Sequence, residues 1–343
     1  MRRMSDPAGR TARRERLREM LERLGLDVLV LRRSANFAWY TGGADNRVNH
    51  TSPFGVADVV VTREREYLLA STIEAPRMRA EEAHDLEVVE FPWYEDAPPA
   101  LRSAEGDGRA GADYPLAGAV DIAGEIAPLR YLLDATAIAQ YQLVGDDAMR
   151  AVEEATASFA PGMTEHDAIA SVQAACWRRG LACPVALAAA DDRIARYRHP
   201  IAQGETALRR LMVVVCAERF GLYANLTRIV AFTPPDDELA RRQALSETIL
   251  RRMREEATLP GRTLAEAFAD CHRFYADAGF PDEWRLHHQG GLTGYGSREV
   301  LATPYAHQVI QVGHAFAWNP SITGAKAEET FILTDSGPVV VAR

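Results

Sequence analysis

Apolar residues recur along the chain with two different periods. Leu17, Met20, Leu21 and Leu24 return at i, i+3, i+4 and i+7 among charged neighbours, the spacing of one helix face, and Gly25 supplies a stop. Asp27–Leu31 then reads as a buried strand. Val59–Thr62 and Glu66–Leu69 are two more strands, separated by the charged turn Arg63–Arg65, and a helix over Glu74–Glu82 follows. Strands alternating with helices predict a small α/β domain over residues 1–133. The stretch 96–112, rich in Pro, Gly and Ala, reads as an exposed loop inside it.

The second half, residues 134–343, opens with a helical pattern over Ala135–Phe159, broken by Pro161-Gly162. Thr164 is placed to cap the amide of Asp167, starting a helix that runs to Gly180. Leu211–Ala217 is a continuous apolar run with several β-branched residues, short enough to be a central strand. Gly221 turns it into an antiparallel neighbour over Tyr223–Phe232. Helices over Asp236–Glu256 and Leu264–Ala278 precede strands near Leu286–His288, Ala315–Asn319, Ala327–Leu333 and Val339–Val341. The whole therefore predicts an α+β protein with two domains.

Composition narrows the function classes. A formal charge of −9, with the main basic cluster confined to Arg2, Arg3, Arg10, Arg13 and Arg14, argues for a solvated basic tail and against a nucleic-acid partner. No apolar run reaches the ~18 residues a membrane span needs, so a cytoplasmic location is expected. Cys176, Cys183, Cys216 and Cys271 are scattered without the close pairs of zinc sites or disulfide frameworks.

Four segments carry a more specific signal: Arg198-His199-Pro200 with the hairpin Val213–Arg228; His287-His288-Gln289-Gly290-Gly291; Trp318-Asn319-Pro320; and Lys326-Ala327-Glu328-Glu329-Thr330. In this order they resemble the signature of the creatinase, aminopeptidase P and prolidase family. Asn36–Gly43 is similar to part of that family's N-terminal domain. The resemblance implies a smaller α/β domain followed by a pita-bread catalytic domain, a curved antiparallel sheet with paired helices outside. It also implies a homodimer, in which Asn46 and Arg47 of one subunit could reach the other's site.

Metal-dependent members of that family hold two divalent ions with two Asp, one His and two Glu. Matched to that pattern, Val214 and Asn225 stand at the Asp positions, Asn319 at the first Glu position, and only His288 and Glu328 remain. Val214 offers no donor atom, and hard divalent ions need carboxylate oxygens to neutralise them. No bound metal and no cofactor are therefore expected.

Tyr295 occupies the place of a second family histidine, and His199 lies near that of an upstream substrate-gripping histidine. The resulting expectation is an enzyme working without metal on a small amino-acid-like, amide or short-peptide substrate, with C–N bond hydrolysis favoured. His288 would transfer protons, with Glu328 and Tyr295 beside it. His199, Asn225, Asn319, Gln289 and Arg298 would contact substrate, Arg298 as an anion clamp. His287 is expected on the opposite face of its strand. Glu328 could instead pair with Arg228 or Lys326, Trp318 is expected in the core, and Cys216 is expected to be buried and inert. A metal-dependent Xaa-Pro peptidase and a non-catalytic binding protein remain as alternatives.

Overall fold

The computed structural model describes residues 6–83, 85–96, 101–102, 105–106 and 108–343. The chain divides into two compact units, Met1–Arg130 with Asp134–Ala137, and Tyr131–Leu133 with Ile138–Arg343.

The first unit carries a six-stranded mixed sheet ordered β4-β3-β2-β1-β5-β6. Its strands are β1 (Val28–Arg33), β2 (Phe54–Thr62), β3 (Glu66–Ser71), β4 (Glu87–Phe91), β5 (Ala110–Ala112) and β6 (Val120–Asp121). Helix α2 (Ser34–Thr41) follows β1, and helix α1 (Pro7–Leu24) ends on Gly25 in the left-handed region. Its basic residues are not a free tail. Arg13 is buried and donates to Asp6, Asp134 and the carbonyl of Tyr40, and Arg10 pairs with Glu66 and Asp85. Helix formation places those arginines beside acidic partners, which a charge count along the sequence cannot show. Arg2 and Arg3 lie outside the described residues. The expected loop 96–112, part of which lies outside them as well, closes with β5, paired parallel to β1.

The second unit begins with α3 (Ala135–Thr156) and α4 (Glu165–Arg178). Thr164 and Asp167 form a reciprocal capping box at the start of α4. Three antiparallel strands follow: β7 (Ala182–Ala190), β8 (Arg210–Arg219) and β9 (Leu222–Ala231). Phe220 and Gly221 both have positive φ, the requirement of the tight turn between β8 and β9. Alternation divides β8 between two faces. Val213 and Val215 pack with Val144, Ala148 and Val172 of the two helices, each large side chain contributing roughly 1.5–3 kcal/mol by burial. Val214 and Cys216 lie on the other face, paired across the ladder with Thr227 and Asn225.

Helices α5 (Asp237–Arg252) and α6 (Leu264–Asp277) lead to a second antiparallel sheet ordered β11-β10-β12-β15-β16. Its strands are β10 (Gly290–Thr293), β11 (Val300–Leu301), β12 (Ala315–Trp318), β15 (Glu329–Thr334) and β16 (Gly337–Ala342), with the short pair β13 (Ser321–Ile322) and β14 (Ala325–Lys326) between. A Cβ on Gly290 would lie 2.0 Å from the Ala317 oxygen, and one on Gly291 2.2 Å from that of Val300. Only glycine lets β10 fit between its two neighbours. Trp318 is fully buried, stacks on Phe316 and donates to Thr258.

Candidate active site

His287 and His288 do not continue a strand. A short helical turn occupies Glu283–Leu286, and regular pairing starts only at Gly290. Alternation therefore does not govern this pair, and His287 does not turn away from its neighbour. The two rings stack with centroids 4.5 Å apart, and His287 Nε2 lies 3.0 Å from His199 Nε2. Arg198, bound to Glu283 and Thr323, anchors the segment that brings His199 to the cluster. One ring nitrogen from each of His199, His287 and His288 lies within 4.8 Å of the other two.

Ala327 and Glu328 link β14, which pairs with β13, to β15, which pairs with β12 and β16, and Glu328 is buried on this link. Its carboxylate accepts from Thr227 at 2.6 Å and Arg298 at 3.1 Å, and pairs with Lys326 Nζ at 3.2 Å. Lys326 is thus its partner and Arg228 is not, since Arg228 donates to the carbonyls of Thr227 and Arg343. Burial alone would raise the Glu328 carboxyl, but Lys326 and Arg298 outweigh it and hold it at about 2.

The same two cations depress the histidines. Burial, reinforced by Lys326 and the neighbouring rings, lowers His287 to about 2. Burial, then Arg298 and His199, lowers His288 to about 4. At neutral pH the rings are uncharged, so His288 is not the freely titrating group that its ordinary pKa suggested. Burial likewise pushes the Cys216 thiol up to about 12, leaving it protonated.

Asn225 and Asn319 are buried, and the side-chain oxygen of each has no partner among the described residues. His287 Nδ1, His288 Nδ1 and Arg298 Nε are buried without a partner as well. So many unanswered polar groups near one carboxylate mark a place for a polar ligand. Tyr295 is buried on the turn after β10. Gln289 does not line the cavity with a free group: its amide binds the carbonyls of Trp284 and His287 and accepts from Tyr275. Asn46 cannot reach out to a partner, because it is buried and donates to the carbonyls of Arg32 and Ala57. Arg47 is paired with Asp45.

Matched to the family pattern, one carboxylate on β8 (Val214 in its place), one on β9 (Asn225) and one just after β12 (Asn319) are missing from the set that would hold a pair of divalent ions, and the surviving one, Glu328, already faces two cations. These residues do not fit a dinuclear centre. Lys326 carries more of the site than its sequence context suggested. The cue was its place two residues before Glu328 in an otherwise buried segment.

A smaller α/β unit followed by this arrangement of strands, helices and inward polar residues defines the pita-bread class. The pattern of the creatinase/prolidase N-terminal domain matches residues 13–117, and that of metallopeptidase family M24 matches residues 138–335. The chain belongs to that family. No curated protein matches it significantly by sequence. Among solved structures, a prolidase from Pyrococcus horikoshii superposes with a TM-score of 0.83 at 17% identity, covering 97% of this chain and 98% of that one. The Xaa-Pro dipeptidase from Bacillus anthracis gives 0.81 at 17% identity, with 97% and 98% covered. The N-terminal domain of a FACT complex subunit from Cicer arietinum gives 0.69 at 12%, with 97% and 94% covered. At these identities the likeness is one of fold.

Proposed function

We propose that the protein is an enzyme that hydrolyses a C–N bond in a small amino-acid-like or short-peptide substrate without a paired-metal centre. The observation that carries this reading is the Glu328 carboxylate neutralised by Lys326 and Arg298 instead of being open to divalent ions. The fixed cations suit an anionic group of the substrate, and the oxygens of Asn225 and Asn319 suit its N–H groups. His199 and Tyr295 flank and position it. Neutral His288 takes a proton from the attacking water, and the resulting imidazolium, a strong acid with a pKa of about 4, returns it to the departing nitrogen. The protein is taken to work as a cytoplasmic homodimer.

The test is hydrolysis of Xaa-Pro dipeptides and simple amides by protein exhaustively treated with chelator, beside a His288→Ala variant. Retained turnover after chelation, abolished by the substitution, is the expected result. A second reading is a single ion held by His199, His287 and His288, favoured by their convergence and by the prolidase and dipeptidase names of the structural relatives. Stoichiometric metal in the purified protein, with activity lost on its removal, would replace the first reading by the second. A binding role, as in a protein with no turnover at all, would show as His288→Ala changing nothing measurable.

A further inference from the structure

Three stretches of chain meet at the site: the loop bearing His199, the turn before His287 and His288, and the hairpin of β13 and β14 that ends at Lys326. Glu283 belongs to the second and binds the other two. Its Oε2 accepts from Arg198 Nη2 at 2.6 Å and from the Thr323 amide at 3.1 Å, and its Oε1 accepts from Thr323 Oγ1 at 2.7 Å. Arg198 Nη2 also donates to Thr323 Oγ1 at 3.0 Å, so that hydroxyl gives to the carboxylate while it receives from the guanidinium. The Arg198 and Glu283 side chains are only 13% and 17% exposed, and solvent screens the contact little.

The turn and the hairpin have a second link. Tyr275 Oη accepts from the Ser321 amide at 2.8 Å and donates to Gln289 Oε1 at 2.8 Å, while the Gln289 amide holds the carbonyls of Trp284 and His287. His287, His288 and Lys326 therefore keep their places without Glu283. The loop of His199 is held differently. Its far end is fastened away from the cluster, where Arg193 donates to the carbonyl of Ile201 and the Gln203 amide donates to Glu165. Its near end is fastened by Arg198 to Glu283 and Thr323. His199 is the exposed member of the three histidines, and its ring lies edge-on to His287 with centroids 4.7 Å apart. Packing alone does not seat an exposed ring, so its place depends on the arginine beside it.

We propose that Glu283 is a positioning residue: through Arg198 it sets His199 against His287 and so fixes how the site grips its substrate. The second half of this statement rests on the reading of His199 as a substrate contact, whereas the ring geometry is measurable without turnover.

The first arm of the test uses no substrate. In histidine-labelled protein, nuclear Overhauser contacts between the ring protons of His199 and His287 are expected, and those between His287 and His288 as well. Glu283→Gln puts an NH2 group where two donors were accepted, with little change of size. It should abolish the His199 contact and spare the other, and Arg198→Gln should do the same. Unchanged ring shifts of buried His314 report an intact fold. Should Glu283→Gln disturb them, Thr323→Val, which removes the bridging hydroxyl and leaves both charges, takes its place under the same criteria. The second arm is hydrolysis: Glu283→Gln should raise KM about tenfold with kcat within about twofold, the pattern of a lost binding contact, and add nothing in a His199→Ala background. A His199 contact absent from the unsubstituted protein, or one that survives the substitutions, overturns the proposal. So does a KM that Glu283→Gln leaves unmoved or raises further in the His199→Ala background. Absence of turnover in the unsubstituted protein removes the reading of the reaction, and the ring contact then decides the role of Glu283.

Discussion

At the scale of single residues, the decisive feature is one carboxylate with two cations. A buried ion pair contributes little net stability when intact, but removing one partner strands the other in a poor solvent. Lys326→Met should therefore destabilise the protein by about 3 kcal/mol, read as a lowered urea midpoint. The Glu328 carboxyl should rise from about 2 once its nearest cation is gone. The double variant Lys326→Met/Glu328→Gln should recover part of the loss, because it removes the uncompensated charge as well. A double variant no more stable than the single one would show that Lys326 acts through packing and not through charge.

Among the elements, β10 is the most constrained. Gly290 has φ +106 and no room for a Cβ against the Ala317 oxygen, so Gly290→Ala must part β10 from β12 or distort both. The expected cost is several times that of a lost helix cap, about 3 kcal/mol or more, set against about 1 kcal/mol for Thr164→Ala at the start of α4. Comparable midpoints for the two variants would contradict the packing described here. The strain matters beyond stability, because β10 begins two residues after His288 and its displacement would move the histidine cluster.

For the molecule as a whole, burial lowers the pKa of five histidines: His287 to about 2, His288 to about 4 and His314 to about 4, with His199 and His272 shifted in the same direction. All lie below the ordinary value near 6.5, so between that value and the folded one the unfolded chain binds protons that the folded chain does not. Stability from this source is complete above about pH 6.5 and is lost progressively as the pH falls, at about 1.4 kcal/mol per unit for each of His287, His288 and His314. Glu328 adds to the loss below about 4.5, as the pH falls towards its own value of about 2. Differential scanning calorimetry should show the melting temperature falling from pH 6.5 to 4. A temperature constant across that range would mean the rings are hydrated and titrate normally.

Sequence patterning was sufficient for most elements. The heptad-like return of Leu17, Leu21 and Leu24, the apolar run of β8 and the Thr-to-Asp cap of α4 are local signals, set by periods and turn chemistry that a few neighbouring residues express. The resemblance of the four motif segments to the family pattern likewise carried the fold class, and it implied the absence of coordinating side chains at Val214, Asn225 and Asn319. What the sequence could not decide were matters of direction and company. His287 joins the cluster because regular pairing begins after it, Arg13 is buried because the helix delivers it to Asp6 and Asp134, and Gln289 is occupied by Tyr275 and two carbonyls. The charge state of His288 and Glu328 depends on Arg298 and Lys326 meeting them across separate segments of chain. Local propensity is written residue by residue, whereas desolvation and pairing depend on what folding brings alongside.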